Sequence, residues 1–256
     1  MNAIFCIIVG GRRGLRARLI FRSLFRVTGS VTSPVWCDRA RGVTAEKIPG
    51  VNVIDHPLVR VKLTLLRSRE TTAAQFRQNL SELAALMAFE VTRSLETRTH
   101  EVHTPLAPHA GSRLAKPVVL APILRAGLGM VEGMLHVISD ASVAHIGIFR
   151  NEETHQPQSY YFKAPTCLAD AEVIVTDPML ATGGSAVAAI ETLKRGGAST
   201  VRYVCLVSCV KGIERLRSAH PDVQIFTAAI DPELNEKAYI VPGLGDAGDR
   251  YFGTVQ

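Results

Sequence analysis

The sequence predicts an α/β protein: a twisted, mostly parallel sheet with helices on both faces. Three observations predict it. Short apolar, β-branched runs alternate with amphipathic segments from Asp55 onward. The runs are almost wholly apolar rather than alternating, as in strands covered on both faces. Glycine- or proline-bearing turns leave the runs at the ends where open parallel sheets bind ligands.

The elements follow in order. Phe76, Leu80, Leu83, Ala84 and Met87 recur at helical spacing and predict a long amphipathic helix. A polar stretch comes next, with Pro105, Pro108 and Gly111 as breakers. PVVLAPI (117–123) is the first strand, GLGMVEGMLHVI (127–138) a helix, and VAHIGIF (143–149) the second strand. EVIVTD (172–177) is the third strand, and a glycine-rich turn leads from it into the helix SAVAAIETLKRGG. The two glycines after Arg195 end that helix. VRYVCLVSCV (201–210) is the fourth strand. KGIERLRSAH is a helix stopped by Pro221, and VQIFTAAI (223–230) is the fifth strand.

The 256 residues suffice for one large domain or two small ones. The net charge of +6 is unevenly spread: residues 1–50 hold nine Lys+Arg and two Asp+Glu, and the remainder hold 20 and 21. The body, at −1, has no global field to attract a polyanion, so nucleic acid is not an expected partner. Any anion site there must be local. No apolar run reaches the roughly 18 residues that span a bilayer, and a membrane partner is not expected either. Of five cysteines none forms a CxxC pair; Cys205 and Cys209, in the apolar run VCLVSCV, read as buried free thiols, and the pattern fits a reducing cytoplasm.

Two domains are expected: a leader over 1–50 and a body over 51–256. The leader is rich in Arg and Ser and has no acid before Asp38. It reads as a non-native or disordered leader, an organellar transit peptide, or a basic accessory helix with Leu15, Leu19 and Phe25 on one face.

The stretch VIVTDPMLATGGSA carries the most chemistry. Thr182, Gly183, Gly184 and Ser185 open a helix, where successive backbone N–H groups and the helix dipole attract an anion. Their extent suits one phosphate monoester. A P-loop is excluded, since Gly-Lys-Ser/Thr is absent. Asp177 at the strand tip would repel that phosphate unless it held something else, such as a ribose diol or water on a metal. A phosphorylated sugar satisfies both groups.

The segment resembles the 5-phosphoribosyl 1-diphosphate (PRPP) signature of the type I phosphoribosyltransferases, and DPMLATGGS is similar to its uracil-specific branch. Many members carry two adjacent acids at the strand end, and here Thr176 occupies the first position. The resemblance implies the type I phosphoribosyltransferase fold with a small hood or flap. It also implies conversion of uracil and PRPP to UMP and diphosphate in pyrimidine salvage. PRPP contacts are implied for Asp177, Pro178, Met179, Leu180, Ala181, Thr182, Gly183, Gly184 and Ser185.

Two further segments extend it. PILRAGLGM is similar to the family's pyrophosphate loop. Arg125 offers a planar fork of donors to phosphate oxygens, and Gly127 and Gly129 are expected to bring backbone amides to the same ligand. The GxGxxxG spacing, with Pro122 and Arg125 intruding, does not match a dinucleotide fingerprint. Arg150 in FRNEE is a second diphosphate contact by resemblance, beside Glu152 and Glu153. PQSYYFKAP resembles the flap over the family's active site.

YIVPGLGDAGDRYFGT has four glycines and one proline. Such a backbone can present its own N–H and C=O groups to a base. Uracil is implied by the resemblance, through Ile240, Gly245, Asp246 and Ala247; residues alone do not name it. Asp246 is implied as a contact to PRPP or to Mg²⁺-bound water. Asp177, Arg125 and Asp246 are the expected catalytic residues, and Mg²⁺ is expected to arrive with PRPP, with no protein ligand of its own. A homo-oligomer, dimer or higher, and a GTP effector are also family expectations. Some relatives are RNA-binding regulators, but they need a basic face that the body's charge does not suggest.

Overall fold

The computed structural model describes residues 48–150 and 157–254. The leader up to residue 47, and Glu152 and Glu153, lie outside the described residues.

The chain runs through β1 (Val51–Val53), α1 (Pro57–Arg67), α2 (Ala73–Val91), β2 (Thr97–His103), β3 (Pro108–Leu114) and β4 (Val118–Leu124). It continues through α3 (Leu128–Val137), β5 (Ser142–Val143), β6 (His145–Arg150), β7 (Pro157–Lys163), β8 (Glu172–Thr176), β9 (Met179–Leu180) and α4 (Gly184–Arg195). It closes with β10 (Thr200–Cys209), α5 (Val210–Ala219), β11 (Gln224–Asp231), β12 (Glu233–Leu234), β13 (Ile240–Val241) and α6 (Ala247–Phe252).

The main sheet has the order β1-β11-β10-β8-β4-β6-β7. Every neighbouring pair is parallel except β6–β7. The strand period of two divides its side chains between two cores. Val118, Leu120, Ile174 and Val204 join one core with α1, α2 and α3. Val119, Ala121, Val173, Val175, Tyr203 and Cys205 join the other with α4 and α5. Both faces are covered, which is why these strands read as continuous apolar runs.

Local signals set the helix limits. Thr72 and Gln75 form a reciprocal capping box at the start of α2. The close approach of α2 and α3 depends on Gly133, where a Cβ would lie 1.8 Å from the Ser81 carbonyl oxygen. Gly133→Ala should therefore force the helices apart and lower stability by about 1–3 kcal/mol, the usual cost of overpacking. A urea titration would check this; an unchanged midpoint would contradict it.

The structure departs from the sequence reading in two places. VAHIGIF is two strands, β5 and β6, parted at Ala144. The polar stretch after α2 is an antiparallel hairpin, β2–β3, paired from Thr97↔Leu114 to His103↔Pro108. Its residues are exposed apart from half-buried Gly111, so no buried face imposes the alternation that marks a strand. PQSYYFKAP contributes β7, which pairs antiparallel with β6 at the sheet edge.

Candidate active site

The site lies where β8 and β4 end side by side. Pro122 pairs with Thr176, so the loop after each strand emerges next to the other. Buried Thr176 links the two loops, donating its hydroxyl to the Gly127 carbonyl at 3.2 Å. An ionised acid in its place would be enclosed and facing a carbonyl, which accounts for threonine here.

After Thr176 the chain is pinned to β10. The Asp177 amide donates to the Val204 carbonyl at 3.1 Å, and the Pro178 carbonyl accepts from Leu206 at 3.0 Å and Val207 at 3.1 Å. The chain turns at Gly183, whose φ of 77° suits glycine, and enters α4. No side chain caps this helix. Its first intrahelical bond runs from the Val187 amide to the Gly183 carbonyl, so the amides of 184–186 point out of the helix start. They open on a cavity of about 80 Å³ lined by Asp177, Met179 to Ala186, and Tyr203. Asp177 and the Thr182–Ser185 turn thus share one cavity.

Asp177 is half-buried as a residue, but its carboxyl turns inward. Its Oδ2 accepts from the fully buried Tyr203 hydroxyl at 3.4 Å. Burial pushes its pKa up to about 7, against the Met179 amide and the Tyr203 hydroxyl, which favour the ionised form. Tyr203 is itself held well above its usual range by burial and by the neighbouring carboxylate. Between the unfolded value of about 4 and about 7, the folded protein retains a proton that the unfolded chain has released. Stability should therefore fall as pH rises through that window. Urea midpoints of the wild type and Asp177→Asn at pH 5.5 and 8 would check it: the wild type should lose ground to the variant at the higher pH. A constant gap between them would contradict the shift.

Arg125 follows β4, and the Leu124–Arg125 peptide is cis. Its side chain is largely exposed, 3.3 Å from Asp249 Oδ1 and above the Phe252 ring. The expectation for the neighbouring glycines fails. The Gly127 amide donates to the Ile123 carbonyl at 2.9 Å, and the Gly129 amide to the Ala126 carbonyl at 3.1 Å. Both positions are tight instead: a Cβ would lie 2.3 Å from the Thr176 carbonyl oxygen at Gly127, and 2.3 Å from Leu80 at Gly129. These glycines permit packing, and their amides are not aimed at a ligand. Arg150 is the last residue of β6, at the same end of the sheet.

The C-terminal segment closes this end. Ile240 and Ala247 are buried in the core, so only their backbone can meet a ligand. Gly245 has a φ of 73°. Asp246 is exposed and caps α6, accepting from the Asp249 amide at 2.9 Å. Sequence reasoning missed the anchors of this segment. Arg67 grips buried Asp231 through two bonds of 2.7 Å and donates to the Gly243 carbonyl at 2.8 Å. The Gly243 amide returns to Asp231 Oδ2 at 2.8 Å. Arg250 reaches the carbonyls of Leu66, Ser68 and Leu244 and lies over the Phe76 ring. Nothing local marks Arg67 or Asp231, which lie 164 residues apart.

Residues 53–254 match the uracil phosphoribosyltransferase family model. The chain belongs to the uracil phosphoribosyltransferase family. A uracil phosphoribosyltransferase of Caulobacter is 56% identical over 206 residues, which are 80% of this chain and 99% of that one. Among solved structures, the AQ2163 protein of Aquifex aeolicus superposes with a TM-score of 0.76 at 35% identity, over 79% of this chain and 97% of that one. The adenine phosphoribosyl transferase of Trypanosoma brucei, at 11% identity and a TM-score of 0.51, covers 72% of this chain and 85% of its own and shares the fold. The uracil phosphoribosyltransferase model thus runs from the last residue of β1 through α6, including both loops and the C-terminal segment.

Among the described residues no group of three or more His, Cys, Asp or Glu could hold a metal. The Thr176 hydroxyl is engaged by Gly127, and the Asp177 carboxyl faces Tyr203. This donor set fits a metal that arrives with its own phosphate ligands. Among the described residues no helix is long and apolar enough to cross a membrane.

Proposed function

We propose that this chain transfers the phosphoribosyl group of PRPP to uracil, giving UMP and diphosphate in pyrimidine salvage. The observation that carries it is the uncapped start of α4 opening on the same cavity as the Asp177 carboxyl. The amides and hydroxyls of Thr182–Ser185 hold the 5′-phosphate, and Pro178 to Ala181 line the approach. Asp177 holds the ribose hydroxyls and stabilises positive charge on the ring. Arg125 and Arg150 bind the diphosphate. Backbone of Ile240, Gly245, Asp246 and Ala247 reads uracil, with the exposed Asp246 carboxylate turned to PRPP or its hydrated metal.

In the reaction the bond from C1 to the diphosphate oxygen breaks, and its electron pair leaves with diphosphate. A uracil ring nitrogen bonds to C1 and its proton passes to water. Positioning and charge stabilisation do most of the work. Mg²⁺ carried by PRPP supplies neutralising charge for the leaving group. Cytosine is excluded because its amino group would face donors set for a carbonyl.

Incubation with uracil, PRPP and Mg²⁺, with UMP read by mass spectrometry, tests the proposal. Cytosine, hypoxanthine and adenine should give no nucleotide; product from one of these and none from uracil would overturn the base assignment. Arg125→Ala should raise KM for PRPP about tenfold, the loss of one charge-assisted contact. We also propose a cytoplasmic homo-oligomer responsive to GTP. The exposed β2–β3 hairpin favours self-association, since a two-stranded ribbon is marginal by itself. Light scattering with and without GTP tests both.

A further inference from the structure

The start of α5 packs against the outside of the phosphate turn. Cys209, the residue before it, donates its thiol to the Ala181 carbonyl at 2.9 Å. Three residues on, a Cβ at Gly212 would lie 2.5 Å from the Ala181 carbonyl oxygen and 2.6 Å from that of Leu180. The Gly212 carbonyl in turn lies 2.8 Å from where a Gly183 Cβ would sit. Another three residues on, the same helix face presents Arg215. Its Cβ is 3.2 Å from the Gly183 Cβ position, and its Nη1 is 3.4 Å from that of Gly184.

Arg215 is exposed, and among the described residues it forms no ion pair. A cation there faces the positive end of the α4 dipole, which disfavours the ligand-free protein. An anion held in the cavity on the other side of the turn would offset that cost.

We propose that the first turns of α5 are a wall of the phosphate cradle: Gly212 positions the turn, and Arg215 adds a cation that strengthens binding of the sugar phosphate. This rests on the phosphoribosyl reading above. Cys209 and Gly212 shape the carbonyl side of the turn, leaving its amides to face the cavity. Arg215 acts on the same phosphate by charge from outside.

The test is calorimetry of PRPP with Mg²⁺ on the full chain, together with KM for each substrate and melting of the ligand-free protein. Gly212→Ala should weaken PRPP binding about tenfold or more, equivalent to about 1.4 kcal/mol, with KM for uracil little changed. Arg215→Leu should weaken PRPP several-fold, by an amount that shrinks with added salt. Its ligand-free melting temperature should stay level or rise. Arg215→Lys should recover most of the affinity. Should Gly212→Ala fail to fold, the Arg215 pair decides the matter. If the wild type binds PRPP and Arg215→Leu binds it equally well, this inference falls and the phosphoribosyl reading stands. If the wild type does not bind PRPP, both fall.

Discussion

Replacing Asp177 by asparagine should lower kcat by about 10²–10³-fold, the scale expected for removing one pre-organised charge at a developing opposite charge. The substitution is nearly isosteric, and the Tyr203 hydroxyl, 3.4 Å from Oδ2, can donate to the amide oxygen instead. The turn should stay in place, because it is pinned to β10 by backbone bonds from Val204, Leu206 and Val207. Loss of rate would then report loss of charge. The pH profile separates this from misplacement. In the free wild type the carboxyl ionises at about 7, because burial holds the proton on. The kcat/KM of the wild type should therefore climb through neutral pH as Asp177 ionises, and that limb should vanish in the variant. A variant with unchanged kcat and the same profile would remove Asp177 from the reaction.

Asp231→Ala should be the most damaging change away from the reacting atoms. It strands the Arg67 guanidinium, which is nearly four-fifths buried (23% exposed), and takes from the Gly243 amide the Asp231 oxygen it donates to. Breaking a buried charge pair from one side costs about 3–5 kcal/mol. The effect should not stop at stability. Asp231 ends β11 and Gly243 begins the glycine-rich approach to Gly245 and Asp246, so the same bonds position the backbone proposed above to read the base. KM for uracil should rise by about tenfold, since a shift of an ångström in a reading group is costly. KM for PRPP should move less. Asp231→Asn, which keeps an acceptor for the Gly243 amide, should fall between the two in both melting temperature and KM. Wild-type values for the alanine variant would show that this network is dispensable.

The two loops differ in how far they could be read. DPMLATGGS was legible as a strand-turn-helix opening on a cavity because its geometry is local. A left-handed turn at Gly183, small residues and a helix start are all encoded within a few neighbours, and they leave the first amides of α4 facing a cavity. PILRAGLGM was legible only in part. Arg125 emerges at the carboxyl end of β4, where its side chain meets Asp249 and Phe252 of α6, but Gly127 and Gly129 serve close packing against Thr176 and Leu80. A glycine that admits a ligand and one that admits a neighbouring chain look identical in sequence. The β2–β3 hairpin escaped notice because its exposed strands carry no pattern of burial.

The sequence by itself determined the alternation of strand and helix, the covered parallel sheet and the glycine turn that leads from β8 into α4. Each follows from periodicity or from backbone geometry within a few residues. Only the tertiary structure decided that Tyr203 backs Asp177, that Thr176 bonds Gly127, that Arg67 and Asp231 hold the C-terminal segment, and that α5 packs against the turn at Ala181 and Gly183. These pairings join residues brought together by crossovers between parallel strands, 26 apart for Tyr203 and Asp177, 49 for Thr176 and Gly127, and 164 for Arg67 and Asp231. Their energy depends on burial and on distances that no single stretch of chain encodes.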